Sequence, residues 1–116
     1  MTDYYQHYSD ENRIAEVVDA LALMTETERP FTRLVFSAEY SQARAWLKSQ
    51  FEDTGLECRI DGGGNLIGVR RSTYQASHPQ KVIIGSHIDT VAAGGRFDGI
   101  AGVIAGLECV HYLNHN

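Results

Sequence analysis

Early in the chain the apolar residues Ile14, Val17, Val18 and Leu21 recur at the i, i+3, i+4, i+7 spacing of a helix with one buried face. The pattern predicts a helix over about Asp10 to Glu28, capped by Ser9 or Asp10, with Glu11 in its first turn and Pro30 ending it. A second helix, about Ala38 to Thr54, buries Tyr40, Ala43, Leu47 and Phe51 with Trp46 beside the stripe, and Gly55 supplies a left-handed cap. Leu56 to Ile60 and Asn65 to Arg70 then read as two strands around the turn Asp61-Gly62-Gly63-Gly64. The run Val82, Ile83, Ile84 reads as a third, buried strand, and Val103, Ile104, Leu107 and Val110 as the apolar face of a third helix. The expected order is therefore α-α-β-β-β-α, an α/β class, with a flexible N-terminus over residues 1–10 and one domain over 11–116.

The chemistry gathers where the third strand ends. Strand side chains alternate, so His87 and Asp89, just past Gly85 and Ser86, are expected to point the same way. An imidazole with a carboxylate two residues on can provide a metal ligand and the acid that orients it. A glycine-rich loop follows, and Asp98 arrives at the mouth of the last helix, where the electropositive end suits an acid. Taken alone, the same residues also permit a blander arrangement, with Asp98 capping the helix and His87 an ordinary loop histidine.

The whole string is more specific. From Gly85 to Glu108 the chain reads GSHIDTVAAGGRFDGIAGVIAGLE, which resembles the first metal-binding motif of the M20 family of metal-dependent amidohydrolases and peptidases. It is most similar to the branch of N-carbamoyl-L-amino-acid hydrolases, β-ureidopropionases and allantoate amidohydrolases, where only ten residues separate the histidine from the acid, as they separate His87 from Asp98 here. The DGGGNLIG string at Asp61 to Gly68 also resembles that family's strand pair, and Thr32 to Tyr40 a segment ahead of its second helix, with Glu39 a candidate for lining the site. Ala92 stands where many members carry proline, a change expected to alter loop stiffness.

The resemblance implies the N-terminal part of a three-layer α/β/α zinc-peptidase-like catalytic domain. It also implies two divalent metal ions, zinc, manganese or cobalt, with His87 ligating one, Asp98 bridging both, and Asp89 orienting His87. A metal pair of this kind activates water and polarises a scissile carbonyl. The family's general base, a glutamate, and its remaining ligands lie further along than Asn116, so the 116 residues carry a partial catalytic domain that is expected to be inactive alone. The implied reaction is hydrolysis of the C–N bond of an N-carbamoyl or ureido amino acid, a small-molecule substrate. A different reading is a truncated, non-catalytic module that folds or self-associates without turnover, as a homo-oligomer or with a longer relative. A weaker third is a single-metal site in which Asp89 itself becomes a ligand.

Charge and composition narrow the classes further. A net charge of −5 opposes a general affinity for nucleic acid, and Arg70-Arg71, the one adjacent basic pair, reads as a solvated turn. Neither a secretory signal nor a membrane-spanning run is present, and Cys58 and Cys109 lack disulfide or CxxC spacing, so reduced core thiols in a cytoplasmic protein are expected. Arg33 and Glu39 are expected to pair across a turn, worth about 0–1 kcal/mol. Tyr4, Tyr5 and Tyr8 are expected to belong to a mobile tail, and His7, His78, His111 and His115 lack ligand spacing. No nucleotide-binding glycine motif is satisfied.

Overall fold

A computed structural model describes residues 9–75 and 77–115. The elements run α1 (Glu11–Leu23), α2 (Ala38–Asp53), β1 (Glu57–Ile60), β2 (Leu66–Val69) and α3 (Ile100–Asn114). Tyr4, Tyr5, Tyr8 and His7 lie outside the described residues.

Asp10 belongs to the fold. Its carboxylate accepts hydrogen bonds from the backbone N–H of Asn12 at 2.9 Å and of Arg13 at 3.3 Å, satisfying donors that the first turn leaves orphaned. Asp10→Ala is expected to cost about 1 kcal/mol, read as a shift in the urea midpoint at unchanged slope. The helix stops at Leu23, well before Pro30. The reason is Arg33, whose Nη1 donates to the carbonyls of Leu21 at 2.7 Å and Met24 at 3.0 Å, taking the acceptors at the helix end. Thr25 closes the following turn, its Oγ1 accepting from Thr32 N at 2.8 Å.

Val17, Val18 and Leu21 of α1, Ala43 and Leu47 of α2, and Ile100 and Ile104 of α3 form one buried cluster, with Trp46, Phe51, Leu66 and Ile88 packed against it. Burying these side chains is the main stabilising term, at roughly 1.5–3 kcal/mol for each large one. Tyr40 is only half-buried, its ring edge-on to Phe36 and beneath the Arg44 guanidinium.

The two strands pair antiparallel, Glu57 with Val69 through Ile60 with Leu66. Asp61 builds the turn between them, one carboxylate oxygen accepting from Gly63 N and Asn65 N, both at 2.9 Å. Gly64 takes φ +85°, where a side chain would be strained.

The expected third strand is not formed. Among the described residues the sheet has two strands, and Val82 and Ile83 are about nine-tenths exposed. A β-branched run becomes a strand only when a neighbour completes its ladder, and the β1–β2 hairpin pairs with itself. Ile84 and Ser86, though exposed, nevertheless lie close against α3. A Cβ on Gly102 would lie 2.7 Å from Ser86 Cβ, and one on Gly106 would lie 3.2 Å from Ile84 Cγ2, so the glycines let the segment lie against the helix.

Two further expectations are refined. Arg70 and Arg71 are exposed, as expected, but Arg70 has partners: its Nη2 donates to Leu113 O at 2.7 Å and its Nε to Asn114 Oδ1 at 3.0 Å, placing a cation at the C-terminal end of α3. Cys109 is exposed rather than in the core, while burial raises the pKa of the half-buried Cys58 thiol and leaves it a poor nucleophile. No helix among the described residues is long and apolar enough to cross a membrane.

Glu108 ties α3 to α1. Its two oxygens accept from Arg13 Nε at 2.7 Å and Nη2 at 2.6 Å, a forked pair. Burial pushes the Glu108 carboxyl up, but the Arg13 hydrogen bonds outweigh it and hold the group below its usual 4.5. His111 is also lowered from its usual 6.5, by burial first and then by Arg13. Both groups therefore bind protons more readily in the unfolded chain. Stability is expected to be full above pH 6.5, to decline below it as His111 titrates, and to fall again below 4.5 as Glu108 does. Urea midpoints measured against pH check this, and Glu108→Gln, costing about 1–2 kcal/mol near neutrality, should flatten the lower step.

Candidate metal-binding rim

His87, Asp89 and Asp98 stand together. Ile88 turns inward onto the core while His87 and Asp89 face outward, which is the alternation expected of an extended stretch. His87 Nδ1 lies 3.0 Å from the Asp89 carbonyl oxygen and 3.4 Å from its carboxylate Oδ1. Both neighbours are acceptors, so the tautomer that makes this 3.0 Å hydrogen bond is the one with the proton on Nδ1. The other nitrogen, Nε2, then faces Asp98 Oδ2 at 3.6 Å. In that tautomer the Nε2 lone pair and the carboxylate are two donor atoms that one cation could share.

Asp98 is not spent on capping. The N-cap of α3 is Gly99, with no side-chain capping hydrogen bond, and the Asp98 side chain is 70% exposed. Gly99 is what allows the approach. It sits at φ +70°, and a Cβ there would fall 2.4 Å from the His87 carbonyl oxygen and 2.6 Å from the His87 ring. Only glycine meets both demands.

The backing of the rim comes from a segment whose part the sequence conceals. Thr90 N donates to Arg33 O and Arg33 N to Thr90 Oγ1, both at 2.8 Å, while Gly94 N reaches Phe31 O at 3.1 Å and Ala93 N reaches Thr32 Oγ1 at 2.8 Å. Thr32, Arg33 and Thr90 are all buried. Arg33 does not pair with Glu39. Its guanidinium is turned inward to main-chain carbonyls, and burial lowers its pKa, an effect partly offset by Asp89. Glu39 stands in the first turn of α2, where an acid suits the helix end. The one signal for Arg33 was a charged residue set within the otherwise apolar and hydroxylic run Thr32 to Phe36.

The donor set fits a divalent metal in kind. Two ligand atoms sharing a zinc at tetrahedral angles stand about 3.4 Å apart, close to the observed Nε2–Oδ2 gap. In number it is incomplete, because among the described residues no group of three such side chains is assembled.

No family model matches the chain. Individual relatives do. Allantoate amidohydrolase of Bacillus subtilis is 35% identical over 109 residues, covering 93% of this chain and 26% of the relative. N-carbamoyl-L-amino acid amidohydrolase of Geobacillus stearothermophilus is 41% identical over 85 residues, 73% of this chain and 20% of the relative. A solved structure of a hydantoinase/carbamoylase family amidase from Burkholderia ambifaria superposes with a TM-score of 0.81 at 33% identity, covering 91% of this chain and 26% of that one. This chain is homologous to the N-terminal portion of the hydantoinase/carbamoylase amidases.

Its fold is accordingly of the α/β class of those amidases, and it spans about a quarter of their length. The loop that departs from the branch pattern is well formed. Gly94 N closes a turn onto Val91 O at 3.1 Å, with Ala92 and Ala93 at its centre and Ala93 at φ +51°. Ala92 occupies the first central position, where proline is favoured in such turns, so alanine there gives up stiffness and leaves the path of the chain intact.

Proposed function

We propose that this chain is the part of a metal-dependent amidohydrolase that carries its first metal ligands. The complete enzyme hydrolyses a C–N bond of an N-carbamoyl or ureido amino acid. The carrying observation is the His87 ring, whose Nδ1 is occupied by Asp89 and whose Nε2 is aimed at the Asp98 carboxylate at 3.6 Å. Names of relatives support the substrate class, since they act on allantoate and on N-carbamoyl-L-amino acids.

In this reading His87 and Asp98 hold the metal and Asp89 fixes the tautomer and direction of His87. When bound, divalent ions supply an acidified water and a Lewis acid for the scissile carbonyl. The chain's own residues bind and orient. His87 presents an unprotonated Nε2, Asp98 adds negative charge to the same point, and Gly99 keeps the space between helix and ring clear of side chains. The proton-shuttling glutamate and the other ligands belong to residues outside this sequence.

A second reading is a folded module without turnover, alone or self-associated. It is favoured by the incomplete ligand set and by the exposed Val82 and Ile83, an apolar pair open to a strand partner.

Elemental analysis and titration with zinc and manganese test the first reading. Binding abolished by His87→Ala and by Asp98→Ala, and weakened about 10- to 100-fold by Asp89→Asn, is the expected result. Binding untouched by His87→Ala and Asp98→Ala would sink it. Hydrolysis of an N-carbamoyl amino acid by the purified chain would eliminate the second reading.

A further inference from the structure

Arg33 is 4% exposed, and its contacts converge on one short stretch of backbone. Nε donates to Ile88 O at 2.7 Å. The Arg33 carbonyl accepts from Thr90 N and its own N–H reaches Thr90 Oγ1, both at 2.8 Å. These bonds fall on either side of Asp89. A peptide unit is planar, so the bond to Ile88 O fixes the plane entering Asp89 and the bond from Thr90 N fixes the plane leaving it. The leaving plane carries the Asp89 carbonyl, which is the oxygen that holds His87 Nδ1 at 3.0 Å.

We propose that Arg33 is a positioning residue for the rim, pinning the backbone of Ile88 to Thr90 so that His87 keeps its proton on Nδ1 and offers Nε2 toward Asp98. The inference rests on the proposed reading of His87 and Asp98 as metal ligands. The competing assignment is purely structural. Arg33 also bonds Leu21 O and Met24 O at the end of α1, and a residue that only finished that helix would need no contact beyond those carbonyls.

A variant that keeps the helix-end contacts while losing the Ile88 contact separates the two. Arg33→Lys carries three donors on one nitrogen, enough for carbonyls at the helix end but without the planar fork that reaches Ile88 at the same time. Asp10→Ala is the control, since it weakens α1 from its other end and touches nothing at the rim. The readouts are the His87 ring nitrogen chemical shifts of the metal-free chain, which report the tautomer, and zinc affinity by titration. Circular dichroism follows the fold alongside.

The expected result is that the wild-type chain and Asp10→Ala show the Nδ1–H form, while Arg33→Lys shows a mixture and binds zinc about 10- to 100-fold more weakly. If Arg33→Lys keeps the wild-type shifts and zinc affinity, the positioning role is overturned and only helix capping remains. If Arg33→Lys does not fold, Thr90→Val loosens the same clamp by removing the acceptor for Arg33 N, and it must shift the His87 tautomer in the same direction or the proposal fails. A wild-type chain with no tautomer preference at His87 would instead overturn the reading of the rim itself, an outcome distinct from a wild type with the preference that Arg33→Lys also retains.

Discussion

Gly99→Ala is expected to destabilise the chain by about 2–4 kcal/mol and to separate His87 from Asp98. Two costs add at this position. The backbone stands at φ +70°, and an L side chain in the left-handed region costs about 1–2 kcal/mol. The new methyl would also sit 2.4 Å from the His87 carbonyl oxygen and 2.6 Å from its ring. Backbone cannot swing aside as a flexible side chain can, so relieving that overlap costs about 1–3 kcal/mol more. Against this, alanine reduces unfolded-state freedom by about 0.4–1 kcal/mol, which is too little to win. Gly102→Ala is the informative contrast. Gly102 lies inside α3 without a positive φ, alanine is the better helix former there by about 1 kcal/mol, and the atoms it meets belong to the exposed Ser86 side chain. Ser86 Cβ at 2.7 Å moves only with its backbone, so the segment must shift and part of the helix gain is lost, but with no positive φ the variant should still be destabilised by at least about 1 kcal/mol less than Gly99→Ala. Urea unfolding of both, with zinc titration of each, checks the pair. Gly99→Ala as stable as Gly102→Ala would mean that the close approach of α3 to His87 does not hold in solution.

The sequence showed the helices and the hairpin well because their signals are local. The Ile14 to Leu21 stripe, the Ala43 to Phe51 stripe and Gly55 stop of α2, and the Asp61 to Gly64 turn all act over a few residues, and each of these stretches lies in the element expected of it. The outward alternation of His87 and Asp89 around Ile88 was legible for the same reason. What misled was anything decided by a distant partner. Val82 to Ile84 has strand-forming residues, but pairing is a property of two segments, and none of the described residues offers the second. Helix α1 stops early because a guanidinium twelve residues beyond Leu21 takes its last acceptors, and no reading of α1 alone contains that residue. Arg33 looked like a surface charge awaiting Glu39, since arginine is seldom buried. It is buried because main-chain carbonyls at the end of α1 and at Ile88 all need a donor at one point, and a planar fork with five N–H groups can serve them together.

That arrangement makes Arg33→Ala the most costly single change expected outside the apolar core, at about 3–5 kcal/mol. Arginine burial is itself unfavourable, and replacing a buried charge by an apolar group is neutral or better when its partner is replaced as well. Here the partners are the carbonyls of Leu21, Met24 and Ile88, which no side-chain substitution removes. Each buried acceptor left without a donor costs about 1–3 kcal/mol. The vacated space adds a further loss of packing against α1, while water entering it recovers part of the hydrogen bonding. Leu21 O keeps its hydrogen bond from Met24 N at 3.1 Å, but the two acceptors left without a donor, Met24 O and Ile88 O, together with the lost packing outweigh the relief of desolvating one guanidinium, so the balance is destabilising. The same substitution also leaves Asp89 without the positive charge behind it. Thermal or urea unfolding of Arg33→Ala beside Arg33→Lys measures the difference, and the lysine variant should recover at least about 1 kcal/mol by restoring a donor at the end of α1. Equal stability of wild type and Arg33→Ala would show that these carbonyls are hydrated rather than held, and the clamp on the rim would go with them.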